Sequence, residues 1–152
     1  MSAVCIGVNP STARPDVSDR TLTSVQNIAE SNGFDSFIMC NVYPKRATSI
    51  DDLSIKIDTE LHSENMKAIE WALRYSGENP AVWAAWGTLI DLRDYLTDCL
   101  RDIVELGERM GVQWYTAGSR SKARAHPHHP LYLKSDTKLS PFDDIREYID
   151  RL

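Results

Sequence analysis

Four short apolar runs, separated by longer stretches of helical period, constrain this chain more than any other feature. They are Ala3-Val4-Cys5-Ile6-Gly7-Val8, stopped by Asn9-Pro10; Ser36 to Asn41, followed by Val42-Tyr43-Pro44; Ala81 to Trp86, followed by Gly87; and Val112 to Ala117. Continuous apolarity over so few residues suits a strand buried on both faces, and proline ends such a strand because it cannot donate to the ladder. Between the runs lie helical patterns. The first is capped by Asp19 or Thr21, carries Leu22, Val25, Ile28 and Ala29 at helical spacing, and runs to Asn32 with Gly33 as its stop. Asp58 opens the second, through Leu61, Met66, Ile69, Trp71, Ala72 and Leu73 to Gly77. The third follows Gly87, with a stripe from Leu89 through Leu92, Leu96, Leu100, Ile103 and Val104 to Leu106. Ser140-Pro141-Phe142-Asp143 starts a final helix, with a serine cap and proline at the first helical position. Ser11 to Ser18 reads as a polar loop, Lys45 to Ile57 as a connection without period, and Gly118 to Leu139 as irregular.

This alternation predicts a three-layer α/β/α sandwich, a four-stranded, mainly parallel sheet between helices, in a single domain over residues 1–152. Right-handed crossovers bring the strand C-termini to one edge, where open sheets of this kind bind ligands. The 152 residues suit one domain of ordinary size. A net charge of −5 excludes a globally basic nucleic-acid binder, so any anion site is local. Cys5, Cys40 and Cys99 form no paired pattern, which fits a reducing compartment. Cys5 and Cys40 fall mid-strand, where a thiol is inert filler. No apolar run has the length of a membrane span, and the N-terminus lacks the features of a signal peptide, so the expected location is cytoplasmic.

The residues expected at the strand ends are polar. Asn9, Pro10, Ser11 and Thr12 follow the first strand; Asn41, Tyr43 and Arg46 follow the second; Trp86 and Gly87 close the third. The fourth leads into a segment holding Arg120, Lys122, Arg124, His126, His128, His129 and Tyr132, with no acidic residue from Ala117 to Lys134. In an acidic chain that is a local basic patch suited to phosphate, with Arg120, Lys122 and Arg124 as its candidate contacts. Asn9 after a strand is also a common turn former. Asn41, ending a buried strand, needs partners that a ligand edge supplies. His128 and His129 are adjacent, which suits chelation poorly, and no cysteine or carboxylate nearby completes a zinc shell, so no metal is assigned. The chain has no Gly-rich phosphate loop and no Gly-x-Ser-x-Gly elbow. Trp71, Trp83 and Trp114 read as core.

Asn9-Pro10-Ser11-Thr12-Ala13, Asp19-Arg20-Thr21, Asn41-Val42-Tyr43, Arg46-Ala47-Thr48, Glu64-Asn65, Trp86-Gly87 and His129-Pro130-Leu131-Tyr132-Leu133 together resemble an uncharacterised bacterial and phage family, a domain of unknown function. Arg14 stands where that family has an acidic residue. The motif order is also distantly similar to the uracil-DNA glycosylase superfamily. Gly7-Val8-Asn9-Pro10-Ser11 resembles its first motif, Asn41 its base-reading asparagine, and His129-Pro130 its second catalytic motif, with His126-Pro127 the other possible match. That resemblance implies that Asn9 positions an attacking water, Asn41 reads the base edge and His129 stabilises the departing base. It implies no cofactor, and a nucleic acid or nucleotide as partner.

The chain departs from the superfamily in three places. Ser11 replaces a glycine, Leu131-Tyr132-Leu133 replaces a small turn, and no aromatic residue lies between Asn9 and Arg20 to stack on a base. The expected function is accordingly a glycosylase-like domain acting on or recognising a nucleobase. Its alternatives are a non-catalytic nucleic-acid or nucleotide-binding module and a small-molecule nucleoside or nucleotide hydrolase or transferase.

Overall fold

The computed structural model describes residues 1–8, 15–44 and 55–152. The apolar runs form the strands β1 (Ser2–Gly7), β2 (Ser36–Asn41), β3 (Ala81–Ala84) and β4 (Gln113–Ala117), and these pair in parallel. A fifth strand, β5 (Leu139–Pro141), pairs antiparallel with β4, and the sheet order is β2-β1-β3-β4-β5. The sheet thus has five strands where four were expected. The sequence around Ser140-Pro141 signals a helix start, but Pro141 ends a short edge strand opposite Tyr115, a place where its missing N–H is tolerated. The last helix, α4, spans Ile145–Arg151.

The helices are α1 (Pro15–Ser31), α2 (Thr59–Tyr75) and α3 (Asp94–Arg109). Helix α1 begins earlier than expected, at Pro15, whose fixed φ suits a first helical position; Asp19 and Thr21 lie within it. Asp58 caps α2 as expected, its Oδ1 accepting the N–H groups of Glu60 and Leu61 at 3.1 and 3.2 Å. The single helix expected after Gly87 is two pieces, a 3₁₀ turn over Gly87–Leu92 and then α3, separated by Arg93 in extended backbone (φ −141°, ψ 140°).

Burial falls on both faces of the sheet. On one, Val4, Ile6, Val82 and Ala84 pack with Ile69 and Leu73 of α2, Leu96, Leu100 and Ile103 of α3, and Tyr148 and Ile149 of α4. On the other, Cys5, Trp83 and Ala117 pack with Val25 and Ile28 of α1. Because β1 lies between β2 and β3, the chain leaves β1 toward one side of the sheet and returns to β3 on the other. The C-terminal ends of β1 and β3 therefore flank a topological switch point, where open α/β sheets leave a crevice.

The tryptophans separate by environment. Trp83 is 1% exposed and Trp114 is buried, as expected, but Trp71 is 61% exposed on the outer side of α2, stacked on Tyr75 with ring centroids 5.3 Å apart. Helical period places Trp71 two residues past Ile69, nearly opposite the buried stripe, so an apolar type sits at a solvent position. In dilute protein, Trp83→Ala is expected to cost about 3–5 kcal/mol and Trp71→Ser less than about 0.5 kcal/mol, measured by urea unfolding.

Candidate functional site at the carboxyl edge of the sheet

The edge is built around two glycines at the switch point. A Cβ on Gly7, the last residue of β1, would lie 3.8 Å from the Asn41 side-chain oxygen and 3.9 Å from the Ala85 carbonyl. The Asn41 carboxamide thus lies beside the end of β1, while the close approach that the bare backbone of Gly7 allows is that of the Met39 methyl, 3.1 Å from such a Cβ. The adjoining backbone is fixed from α2, where Asn65 Nδ2 donates to the carbonyls of Asn41 (2.7 Å) and Val42 (3.3 Å). Among the described residues the Asn41 carboxamide makes no hydrogen bond of its own; it carries a donor and an acceptor.

Beyond β3, Gly87 takes a positive φ of 64°, and a Cβ there would lie 3.3 Å from the Cβ of His129. His129 thus packs directly on the turn that follows Trp86. Its Nδ1 accepts the Leu131 N–H at 3.1 Å, which places the proton of a neutral ring on Nε2. Burial, and then the neighbouring His128, hold its pKa below the usual histidine value, so at neutral pH it is an uncharged N–H donor. His128 donates from Nδ1 to the His129 carbonyl at 2.5 Å.

His126 has a different environment. It is 1% exposed, and both ring nitrogens are occupied: Nε2 donates to Asp91 Oδ2 at 2.7 Å, and Nδ1 faces the Tyr148 hydroxyl at 2.7 Å. Trp86 Nε1, which can only donate, reaches the same hydroxyl at 2.8 Å. Tyr148 therefore accepts from Trp86 and gives its own proton to His126, and Arg124 closes the chain on Asp91 at 2.7 Å. Burial, the main cause, raises the Tyr148 pKa to about 12, which keeps that proton in place. Trp86, Tyr148, His126 and Asp91 come from the end of β3, from α4, from the loop after β4 and from the 3₁₀ turn.

The basic patch is largely committed within the fold. Arg120 Nη1 holds both oxygens of Asp144 at 2.8 and 2.9 Å and its guanidinium lies 4.5 Å over the Phe142 ring, while Arg124 is paired with Asp91. Lys122 is exposed. Tyr43 and Trp86 are core residues rather than surface contacts: the Tyr43 hydroxyl accepts the Asp58 N–H at 3.0 Å, and its ring packs on Tyr95. Tyr132 projects into solvent, 83% exposed, on a residue of positive φ (70°). Asn9, Pro10, Ser11, Thr12 and Arg46 lie outside the described residues.

Asn65, Asp91 and Tyr148 had no site role in the sequence reading. Asn65 fell within the family resemblance. Asp91 and Tyr148 carry no motif, and only the fold places them beside His126. Two surface hollows open next to α3, one of about 240 Å³ lined by Asp91, Arg101 and Arg124 among others and one of about 610 Å³ lined by Ile57, Leu92 and Tyr95 among others. Neither touches Asn41 or His129. The cysteines are free thiols with raised pKa, burial being the main cause: Cys40 to about 11, Cys99 to about 12, and Cys5 further still. Among the described residues no helix is long and apolar enough to cross a membrane.

Fold and edge define an α/β protein with a five-stranded, mostly parallel sheet whose carboxyl end carries a carboxamide and a neutral imidazole. Over residues 1–131 the sequence matches the family described as Protein of unknown function (DUF1643), and the chain belongs to that family. No curated protein and no solved structure is matched by this sequence.

Two outcomes follow from the geometry. Tyr148→Phe removes the hydroxyl that joins Trp86 to His126 and leaves two buried polar atoms unpartnered, so a loss of about 2–4 kcal/mol is expected in denaturant unfolding. His129 has a lowered folded pKa, so below about pH 6.5 the unfolded chain takes up its proton more readily than the folded one. Its contribution is present above that pH and is lost as pH falls toward the folded pKa. The fall in Tm between pH 7 and pH 5, measured by calorimetry, is expected to be shallower in His129→Gln than in the parent.

Proposed function

We propose that this chain is a glycosylase-like domain that handles a nucleobase at the carboxyl edge of its sheet. The observation that carries the reading is the pairing of an Asn41 carboxamide over Gly7 with a neutral His129 over Gly87, on the two flanks of the switch point. A carboxamide offers one donor and one acceptor, which matches the polar edge of a base. Breaking an N-glycosidic bond leaves a cationic sugar and an anionic base. The Nε2–H of His129 is the kind of donor that stabilises charge on the departing base oxygen. Asn9 would hold the attacking water, and Tyr132 and Lys122, both exposed, would contact the substrate beyond the base.

A second reading, a free nucleoside or nucleotide as substrate, is favoured by one observation. Asp144 and Asp91 already neutralise Arg120 and Arg124, so less positive charge is left to hold a polynucleotide backbone. One experiment serves both readings: purified protein is incubated with oligonucleotides carrying uracil or hypoxanthine and, separately, with free nucleosides. Alkali-sensitive scission or base release is expected. His129→Ala should slow it by about 10²–10³-fold, and Asn9→Ala should abolish it. Turnover undiminished in Asn9→Ala would remove the assigned roles. Salt-dependent binding without any product would make the chain a binding module.

A further inference from the structure

The two edges of the sheet are unequally protected. β5 is three residues long and ends in Pro141, two of the usual devices that stop an edge from pairing further. β2, at the other edge, has six residues, Ser36-Phe37-Ile38-Met39-Cys40-Asn41, with no charge and no proline. Not one of them is fully buried, and among the described residues β2 pairs only with β1. Val42 N–H donates to the Gly7 carbonyl, and the β1–β2 register fixes the alternation: Ile38 and Cys40 direct their backbone groups to β1. Phe37, Met39 and Asn41 direct theirs outward.

Apolar surface continues from this edge onto α2. His62 of α2 reaches α3 through Asp102, and Asn65 reaches the end of β2. Continuing round the helix in that direction, at 100° per residue, come Leu61, Ala68, Tyr75 and Trp71. All four are exposed; Leu61, Ala68 and Tyr75 lie on the side of α2 that looks past β2 and away from α3, and Trp71, at the outer side of the helix, stacks on Tyr75. On the α1 side of the same strand a hollow of about 210 Å³ is lined by Ala29, Phe34 and Phe37 among others.

We propose that β2 is a dimerisation edge, on which a second copy of this chain pairs its own β2 antiparallel about a two-fold axis, with the α2 stripes meeting across it. Self-pairing suits this surface. The strand matches itself in length, and its lack of charge brings no like charges opposite one another. Helix α2 runs antiparallel to β2, so the two copies of α2 also pass antiparallel. That sets the acidic first half of one, Glu60 and Glu64, toward Arg74 in the last turn of the other. A six-residue strand is about 20 Å long, and helices about 10 Å across on each side make the edge a face on the order of 500 Å². Side-chain relief brings this toward the roughly 800 Å² per partner of a stable interface. The joined sheet would be continuous through both copies, its switch-point sites facing outward from the dyad.

Sedimentation equilibrium of the full chain up to about 200 µM, a range that covers micromolar dimers, tests this. A mass twice 17.2 kDa is expected at the upper end. Hydrogen exchange at the Phe37, Met39 and Asn41 amides should be at least about tenfold slower there than in dilute protein. Trp71→Glu/Tyr75→Glu changes only exposed side chains and should remain folded and monomeric. Met39→Pro removes an outward N–H and should also be monomeric. A parent that stays monomeric throughout overturns the proposal. So does a dimer that survives the double variant, or one whose outward β2 amides exchange as fast as in the monomer.

Discussion

The carboxyl end of this fold depends on one chain of hydrogen bonds, buried from Trp86 through Tyr148 to His126 and reaching the surface at Asp91. The Trp86, Tyr148 and His126 groups are ones that burial would penalise if left alone. Each is satisfied by a group from another part of the chain. Because Trp86 can only donate and a carboxylate can only accept, the chain has a single direction of proton donation when His126 is neutral. It ties the last helix and the loop after β4 to the turn that ends β3. The loop that presents His129 is thereby anchored three residues away, at His126. Gly87 accepts the close approach because it has no Cβ and tolerates positive φ.

That anchoring divides the basic segment by role. His126, Arg120 and Arg124 hold the loop in place through Tyr148, Asp144 and Asp91. His129 has its Nδ1 occupied by the Leu131 N–H and its pKa lowered by burial, and Lys122 and Tyr132 remain exposed. On the opposite flank of the switch point Asn65 holds the backbone at the end of β2.

Several elements were legible in the sequence because their causes are local. Asp58 caps α2 because its own side chain reaches the next turn. The parallel strands announced themselves by uninterrupted apolarity, the mark of burial on two faces. Other readings failed where the deciding partner was remote. Ser140-Pro141 has the local form of a helix start, yet β4 recruits it as an edge strand. Trp71 has a core composition and a solvent position. Tyr43, one of the candidate contacts, is committed to the core by Asp58 and Tyr95.

The sequence alone determined the α/β alternation, the four parallel strands, and the concentration of asparagine, histidine and basic residues after the strands. These follow from periodicity and residue type, which act over a few neighbours. Only the tertiary structure decided which histidine is buried and which faces the edge. Only it decided that two of the arginines are already paired, and that Leu139–Pro141 joins the sheet as an antiparallel fifth strand. Those outcomes rest on contacts between residues tens of positions apart, such as Trp86 with Tyr148, and no local pattern encodes such contacts.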